Sequence, residues 1–310
     1  MIFTDWEGPW VLTDFAYECA MAFFNSYEFF ERLSQYDDYL VLVEKRVDYD
    51  AGDTLRLLAV FLIANDVTND ELKDLAEKVL KYVPDVDEAI NELKEKPVVI
   101  STSYEQFLEV SAKPFDLRYH CTKFDPERYR LNVSLKKEIL ESVEIIANLP
   151  EIRIPPDENS MRSIRWLNNF FWNRLVKTEA GKILEEVKAV GGRRKLDVVL
   201  SYNPEKPIVI GDSISDKDML AYAKENGIAI SFNGNEYALM NSNLAIVSKS
   251  ALGEIDVVNR CLKDGLNWID VCEVVRGGKV CRLDKVNFNE ILKESKETRA
   301  KLRGLAGYLS

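Results

Sequence analysis

Residues 1–9 read Met-Ile-Phe-Thr-Asp-Trp-Glu-Gly-Pro, an apolar run that stops at two acids. A short apolar run of this kind is typical of a buried parallel strand. Asp5 and Glu7 then fall at the carboxyl end of the strand, the edge where open α/β sheets bind ligands. There, Asp5 could attack an electrophile while Glu7 protonates a leaving group and later activates water. On these residues alone, an ordinary strand exit with two solvated acids is equally consistent.

Further apolar runs along the chain predict strands of the same kind. They are residues 97–101, 207–210, 227–232 and 244–247. Helical patterns separate these runs, and such alternation favours an α/β sheet over a sandwich. We therefore predict an α/β fold, with a Rossmann-like parallel sheet flanked by helices.

The spacing of the runs also predicts how the chain is divided. Residues 1–12 and 97–250 form the α/β core, with a helical insertion at about 108–190. Residues 13–96 read as helix almost throughout and predict a helical cap, in which Thr68 and Glu71 form a capping box. Residues 251–310 are predicted to be a helical, charged C-terminal extension.

A second acidic motif follows the run at 207–210, which continues into Gly-Asp212-Ser213. Carboxylates at a strand end are hard oxygen ligands that suit Mg²⁺. Asp212 is therefore a candidate metal ligand and Asp216 a supporting acid, while Asp218 is better explained as a first-turn acid that complements the helix dipole. Ser215 is predicted to be the N-cap of the helix that follows.

Hydroxyls and a lysine supply two weaker signals. Ser101 and Thr102 follow the run at 97–101, where they could donate to a phosphate oxygen or serve as ordinary turn residues. Lys195 follows Gly191-Gly192 and could neutralise charge between a nucleophile and a phosphate. Alone, that basic turn would be interpreted as a solvated surface feature.

Composition narrows the function further. The formal net charge of −11 argues against binding nucleic acid or an anionic membrane. No apolar stretch is long enough to span a bilayer and the N-terminal residues lack signal-peptide features, so we expect a cytoplasmic protein. The five cysteines are scattered and are expected to be buried, reduced thiols. His120 is the single histidine, which removes multi-histidine zinc sites and leaves it a structural role.

In chain order these signals are an acid pair, a hydroxyl, a lysine and a Gly-Asp-Ser turn. This order resembles the four motifs of the haloacid-dehalogenase (HAD)-like phosphohydrolase superfamily, whose first motif, Asp-x-Asp-Gly-Thr, corresponds to Asp5-Trp-Glu-Gly-Pro9 here. Segment 13–96 lies where phosphoserine-phosphatase-like members carry a helical cap. The chain also resembles the archaeal proteins named energy-converting hydrogenase subunit R. The resemblance implies a HAD-type sheet with an inserted helical cap.

The resemblance also implies a role for each matched residue. Asp5 would form an aspartyl-phosphate, and Glu7 would be the general acid and base. Ser101, or Thr102 in its place, would bind the phosphate. Lys195 would bind the phosphate as well and would take part in catalysis.

A Mg²⁺ ion is the cofactor that the resemblance implies. It would be held by Asp5, by the backbone carbonyl of Glu7 and by Asp212, with Asp216 supporting the metal site. Two departures from the family pattern bear on this site. Glu7 stands where Asp is commoner, as it does in some family members, and Pro9 replaces a threonine and so lacks its hydroxyl and N–H. Lys182 and Lys177 are alternatives to Lys195.

These observations predict a Mg²⁺-dependent phosphohydrolase of a small phosphorylated metabolite, or a phosphotransferase that uses the same intermediate. One alternative is a non-catalytic HAD-fold subunit or binding module of a larger complex, with a protein partner or self-association through the C-terminal helices. A lipase-like hydrolase with Ser213 as nucleophile would need His120 as its base, and the chain lacks the Gly-x-Ser-x-Gly elbow.

Overall fold

One eight-stranded sheet forms within residues 1–304 and 307, which are the residues that this computed structural model describes. The strands are β1 (Ile2–Thr4), β2 (Val98–Tyr104), β3 (Arg118–Thr122), β4 (Ile208–Gly211), β5 (Ile228–Phe232), β6 (Leu244–Ser248), β7 (Cys272–Val275) and β8 (Gly278–Arg282). Their order is β3-β2-β1-β4-β5-β6-β8-β7. The first six pair in parallel, whereas β8 and β7 are added antiparallel. The predicted α/β fold with a mostly parallel sheet is confirmed.

The first strand lies at the centre of the parallel part of the sheet. Thr4 is in register with Val99 of β2 on one side and with Ile210 of β4 on the other. Ile2 and Phe3 pack into different core clusters, because successive side chains of a strand point to opposite faces. The chain therefore leaves β1 at the carboxyl edge, between the ends of β2 and β4.

Helices fill the segment between β1 and β2, as the sequence predicts. They are α1 (Phe15–Phe24), α2 (Tyr27–Tyr39), α3 (Thr54–Ala64), α4 (Asn69–Val79) and α5 (Val86–Glu92), with a π-helical turn at Leu40–Glu44 after α2. The capping box of Thr68 and Glu71 forms at the start of α4. The apolar α3 is buried along its whole length, because helices pack around it.

The second inserted segment packs against the first. It contains α6 (Glu105–Ser111), α7 (Val133–Ala147), α8 (Glu158–Asn168), a π-helical turn (Asn169–Arg174) and α9 (Ala180–Glu186). The ring of Phe61 in α3 lies 6.1 Å from that of Phe171, and the indole of Trp172 donates to the hydroxyl of Tyr36 at 2.9 Å. The two segments therefore share one aromatic core. The domain limits given above stay a prediction.

Two segments that were predicted to be helical also contain strands. Strand β3 lies inside the segment 108–190, and β7 and β8 lie inside 251–310. Gly277, at φ +78°, allows the tight turn that joins the two strands of the antiparallel pair. The remaining helices are α10 (Arg193–Ser201), α11 (Lys217–Asn226), α12 (Glu236–Met240), α13 (Leu252–Asp264) and α14 (Phe288–Arg303). Residues 305–306 and 308–310 of the predicted extension lie outside the described residues.

The cysteine prediction was wrong for one pair. Cys272 and Cys281 form a disulfide across the β7–β8 pair, because the register of the two strands places them opposite each other. Cys19, Cys121 and Cys261 are buried free thiols, as expected. Among the described residues, helices do not reach the length and apolarity needed to cross a bilayer.

Candidate active site

The side chain of Lys195 joins two of the predicted acids. Its Nζ atom lies 2.9 Å from Oδ1 of Asp5 and 2.6 Å from Oδ1 of Asp216. All three side chains are buried, and Lys195 is 0% exposed. Burial lowers the pKa of Lys195, but the charges of Asp216 and Asp5 more than offset this, so the pKa is raised overall and the ammonium persists.

Lys195 lies in the first turn of α10. The two glycines that precede this helix, Gly191 and Gly192, hold its start in place. A side-chain Cβ at Gly191 would lie only 1.9 Å from the carbonyl oxygen of Ala51 in the cap. Arg194 donates to both carboxylate oxygens of Asp53, at 2.8 and 3.2 Å. The basic turn is therefore docked against the helical segment and is not a solvated surface feature.

Burial also shapes the charge of Asp5. It raises the pKa of this carboxyl well above its usual range, Asp216 raises it further, and Lys195 lowers it. The Oδ1 atom of Asp5 accepts from the amide of Trp6 at 2.7 Å as well as from Lys195. Its Oδ2 atom accepts no hydrogen bond from the described residues and is the oxygen that remains for chemistry.

The turn after β4 fixes the other two acids. Oδ2 of Asp216 accepts from the backbone N–H groups of Asp212, at 2.8 Å, and Ser213, at 3.0 Å. Ser213, and not Ser215 as predicted, is the N-cap of the turn, because its hydroxyl accepts from the amide of Ser215. Both oxygens of Asp216 are therefore engaged, one by Lys195 and the other by two backbone amides. Asp216 holds these groups in position.

Asp212 is held against the first motif by a close approach of the backbone. A Cβ at Gly8 would lie 2.0 Å from Oδ2 of Asp212, and Gly8 has φ +107°. Both facts require glycine at this position. The motif Asp-Trp-Glu-Gly therefore uses its glycine to bring the Asp212 carboxylate against the first loop.

Two arginines of α14 contact Asp212, and the sequence analysis missed both. Arg299 Nη1 lies 2.7 Å from Oδ2 of Asp212 and 3.0 Å from its backbone oxygen. Arg303 Nη1 lies 3.4 Å from the same carboxylate oxygen. Burial raises the pKa of Asp212, whereas Arg299 and Arg303 lower it. The sequence does carry a signal that Arg299 is buried, because Ile291, Ser295 and Arg299 recur every fourth residue and so share the buried face of α14.

The hydroxyls after β2 take different positions. Ser101 is 0% exposed and its Oγ accepts from the amide of Ser103 at 3.1 Å. Thr102 lines the cavity described below, and its Oγ1 lies 3.4 Å from Oγ of Ser215. Thr102 is thus better placed than Ser101 to meet a ligand.

Glu7 is in a different environment from Asp5. Burial raises its pKa to about 8, Asp14 raises it as well, and the amide of Phe15, which donates to Oε1 at 2.9 Å, lowers it. At neutral pH this carboxyl is largely protonated, which suits a group that must give a proton to a leaving oxygen.

A cavity of about 170 Å³ connects these groups. Asp5, Glu7, Asp212 and Arg303 line its floor, while helices α1 to α3 supply its other wall. That wall includes further acids, Asp14, Asp37 and Asp38, which the sequence analysis did not single out. The volume suits a small ligand, and the acidic cluster lies between helices α1 to α3 and the carboxyl edge of the sheet.

The arrangement fits a hard divalent cation. Ligand atoms of Asp5, Asp212 and Asp216 lie within 4.8 Å of one another. Since both oxygens of Asp216 are engaged, the donors that remain are Oδ2 of Asp5 and Oδ1 of Asp212, which accept no hydrogen bond from the described residues. Two carboxylate oxygens with water completing the shell is a usual Mg²⁺ environment. Direct coordination by Asp216, and the predicted use of the Glu7 carbonyl, stay predictions.

The residues that the sequence offered as alternatives do not join the acidic cluster. Lys182 is paired with Glu186 at 3.8 Å on the surface, and Lys177 is exposed. His120 Nε2 is hydrogen-bonded to the Tyr202 hydroxyl at 2.8 Å, in agreement with a structural role. Ser213 contacts Ser215 and Asp216, so within the described residues no Ser213–His120 pair supports a serine hydrolase.

The fold and the site define an α/β protein with a buried carboxylate–lysine cluster at the carboxyl edge of its sheet. A solved structure, that of gene product AF1437 from Archaeoglobus fulgidus, is 38% identical and has a TM-score of 0.87 to this chain. The alignment covers 99% of this chain and 97% of that chain. The chain therefore belongs to the same family as AF1437.

A phosphoserine phosphatase in its apo form is a more distant structural match. It is 14% identical with a TM-score of 0.40, and the alignment covers 85% of this chain and 97% of that chain. At this distance the match assigns neither activity nor substrate. No protein-family model and no curated protein matches the chain. The hydrogenase-subunit resemblance stays a prediction.

Proposed function

We propose that this protein is a HAD-type phosphohydrolase that removes a phosphoryl group from a small phosphorylated metabolite through a covalent intermediate on Asp5. The observation that carries the proposal is the Asp5–Lys195–Asp216 chain at 2.9 and 2.6 Å, in which the second Asp5 oxygen accepts no hydrogen bond from the described residues and Asp5 lines the cavity. The contact with the Lys195 ammonium orients this carboxyl and favours its ionised form, which is the form that attacks.

In the first half-reaction, Oδ2 of Asp5 attacks phosphorus while the ester bond breaks. Protonated Glu7 gives its proton to the leaving alcohol, and the phosphoryl group is left on Asp5. The ammonium of Lys195 offsets negative charge on Asp5 and the transferring group. Thr102, which lines the cavity, would donate a hydrogen bond to a phosphate oxygen.

In the second half-reaction, the Glu7 carboxylate removes a proton from water, and that water attacks phosphorus. The Asp5–phosphorus bond breaks, which releases inorganic phosphate and regenerates Asp5. Replacement of water by an acceptor alcohol would give a phosphotransferase with the same residues. When bound, Mg²⁺ would supply charge neutralisation for the phosphoryl oxygens, with Asp5 and Asp212 as its ligands.

The helical wall gives the site a cap that can exclude water. Helices α1 to α3 contribute Ala16, Phe30 and Leu55 to the cavity, opposite the reacting carboxylates. Partial exclusion of water strengthens every charge interaction within the site. Substrate selection is therefore expected to depend on the cap.

Turnover of a small phosphate donor tests the proposal. Acetyl phosphate is a small donor that suits a cavity of about 170 Å³. We expect Mg²⁺-dependent release of phosphate that EDTA abolishes and that Asp5→Asn removes. Asp218→Asn is the matched control, because Asp218 belongs to the same acidic motif as Asp212 but does not line the cavity; its rate should stay within about twofold.

The non-catalytic alternative is a binding module of the same fold. The observation that favours it is the contact of Arg299 with Asp212 at 2.7 Å, which places a cation on a proposed metal ligand. Absence of turnover, together with no rise in thermal stability on addition of Mg²⁺ and fluoroberyllate, would replace the enzyme by this alternative. A protein partner or self-association through the C-terminal helices stays a proposal, and the Ser295 hydroxyl of α14 donates to the Gly234 carbonyl at 2.7 Å.

A further inference from the structure

Helix α14 brings two guanidinium groups to the acidic cluster. Arg299 is 2% exposed and Asp212 is 2% exposed, so their contact at 2.7 Å is shielded from solvent. Arg303 adds a second contact to the same oxygen at 3.4 Å and also donates to the Leu12 carbonyl at 3.1 Å. An ion pair of this kind is screened far less by salt than a surface pair.

Within the described residues, the three acids of the cluster are matched in number by cations that contact them, before any metal ion is added. The carboxylates of Asp5, Asp212 and Asp216 contact three cations of the described residues, which are Lys195, Arg299 and Arg303. If Lys195 were the sole cation, the same acids would carry an excess of two negative charges, which a divalent cation would match. With the two arginines present, a divalent cation instead adds two uncompensated positive charges to a buried site.

We propose that Arg299 is an internal counter-cation of Asp212 that weakens binding of a divalent cation until a phosphate dianion joins it. The inference rests on the proposed function and concerns how its metal is held. Metal and phosphate together add no net charge to the cluster, whereas the metal alone does. The affinities for the two are therefore coupled, and by linkage each raises the affinity for the other equally.

Arg299 and the metal would bind different oxygens of Asp212, so Arg299 does not block the metal completely. The guanidinium lies on Oδ2, which leaves Oδ1 of Asp212 and Oδ2 of Asp5 as donors. The effect is therefore repulsion between two cations on one carboxylate. We expect a change in affinity of about tenfold or more, as for like charges at short range inside a protein.

Titration calorimetry with Mg²⁺ alone tests this without any turnover. Arg299→Gln should bind Mg²⁺ about tenfold more tightly than the wild type, whereas Arg299→Lys, which keeps the charge, should resemble the wild type. Asp212→Asn should lose the binding in each background. Addition of inorganic phosphate should tighten Mg²⁺ binding strongly in the wild type and little in Arg299→Gln.

Each other outcome has a distinct meaning. Equal or weaker Mg²⁺ binding by Arg299→Gln would overturn the counter-cation role and leave the proposed phosphohydrolase intact. No Mg²⁺ binding by any variant, with or without phosphate, would overturn both. Circular dichroism checks folding, and if Arg299→Gln does not fold, Arg303→Gln carries the same test, since it removes the second cation on the same oxygen.

Discussion

The Nζ atom of Lys195 lies 2.9 Å from Oδ1 of Asp5, although 190 residues separate the two along the chain. The ammonium therefore serves as the fixed partner of the proposed nucleophile, and it is tied in turn to Asp216 at 2.6 Å. This relationship selects Lys195 over the other lysines that the sequence left open.

Replacement of Lys195 by methionine should lower kcat by about 10²- to 10³-fold, because a charge that stabilises the transferring group is lost. It should also lower the free energy of unfolding by about 3–5 kcal/mol, since Asp5 and Asp216 stay buried without a counter-ion. Phosphate release and urea unfolding measure the two effects. Lys182→Met is the matched control and should change neither; an equal loss in both variants would contradict the assignment.

Thr102 and Ser101 can be separated by paired substitutions. Thr102→Val keeps the shape of the side chain but removes the hydroxyl in the cavity, so kcat/KM should fall about tenfold, the value of one hydrogen bond. Ser101→Ala removes the buried hydroxyl that accepts from the Ser103 amide at 3.1 Å. Its main effect should be about 1 kcal/mol of stability. A larger kinetic loss in Ser101→Ala would reverse the assignment.

Glu7 should impose a limb on the pH–rate profile. Its pKa of about 8 means that the acid form persists at neutral pH and is lost above pH 8. Hydrolysis of an alkyl phosphate, whose leaving group needs a proton, should fall above about pH 8, whereas an aryl phosphate should be much less affected. Glu7→Gln should slow the alkyl ester by about 10²- to 10⁴-fold and remove the limb. Identical profiles for the two esters would argue against Glu7 as the acid.

Gly8 should not tolerate a side chain. Gly8→Ala places Cβ 2.0 Å from Asp212 Oδ2 and also strains a residue at φ +107°. Gly265→Ala is the matched control, because Gly265 has φ +64° but open space around it. The control should cost about 1 kcal/mol for the positive φ alone. Gly8→Ala should cost more and should lose the thermal stabilisation by Mg²⁺, which differential scanning fluorimetry detects.

Glu254 of α13 should make stability depend on pH. The residue is 0% exposed, and neither carboxylate oxygen has a hydrogen-bond partner among the described residues. Burial, with a further contribution from Asp212, raises its pKa well above the ordinary value of 4.5. Because the unfolded chain then binds fewer protons at this group than the folded protein, the contribution of Glu254 to stability is greatest below about pH 4.5 and declines as pH rises towards the folded pKa.

The expected slope for this one group is about 1.4 kcal/mol per pH unit within that window. Glu254→Gln cannot ionise and should flatten the decline, while Glu236→Gln on the exposed side of α12 should not. Urea unfolding at pH 5, 6, 7 and 8 measures the difference. A wild type and a Glu254→Gln variant with parallel pH dependences would rule out this origin.

Local sequence was sufficient for the features that depend on neighbours in the chain. Apolar runs predicted β1, β2, β4, β5 and β6 within a few residues, because burial on both faces demands them, whereas the parallel strand β3, with the sequence Arg-Tyr-His-Cys-Thr, has no such run and was missed. The acids at 5, 7, 212 and 216 could be placed at one edge, since parallel strands end at the same edge of a sheet. The capping box of Thr68 and Glu71 was also a local property, and it forms.

What the sequence by itself determined is the α/β class and the identity of the acids that gather at the sheet edge. Only the tertiary structure decided which cations meet them. Lys195 reaches Asp5 because the turn at Gly191 docks on the cap, and Arg299 reaches Asp212 because α14 packs on the core. The four-residue spacing of α14 places Arg299 on the buried face of that helix, but which acid it meets depends on how helices pack and not on what adjoins each residue.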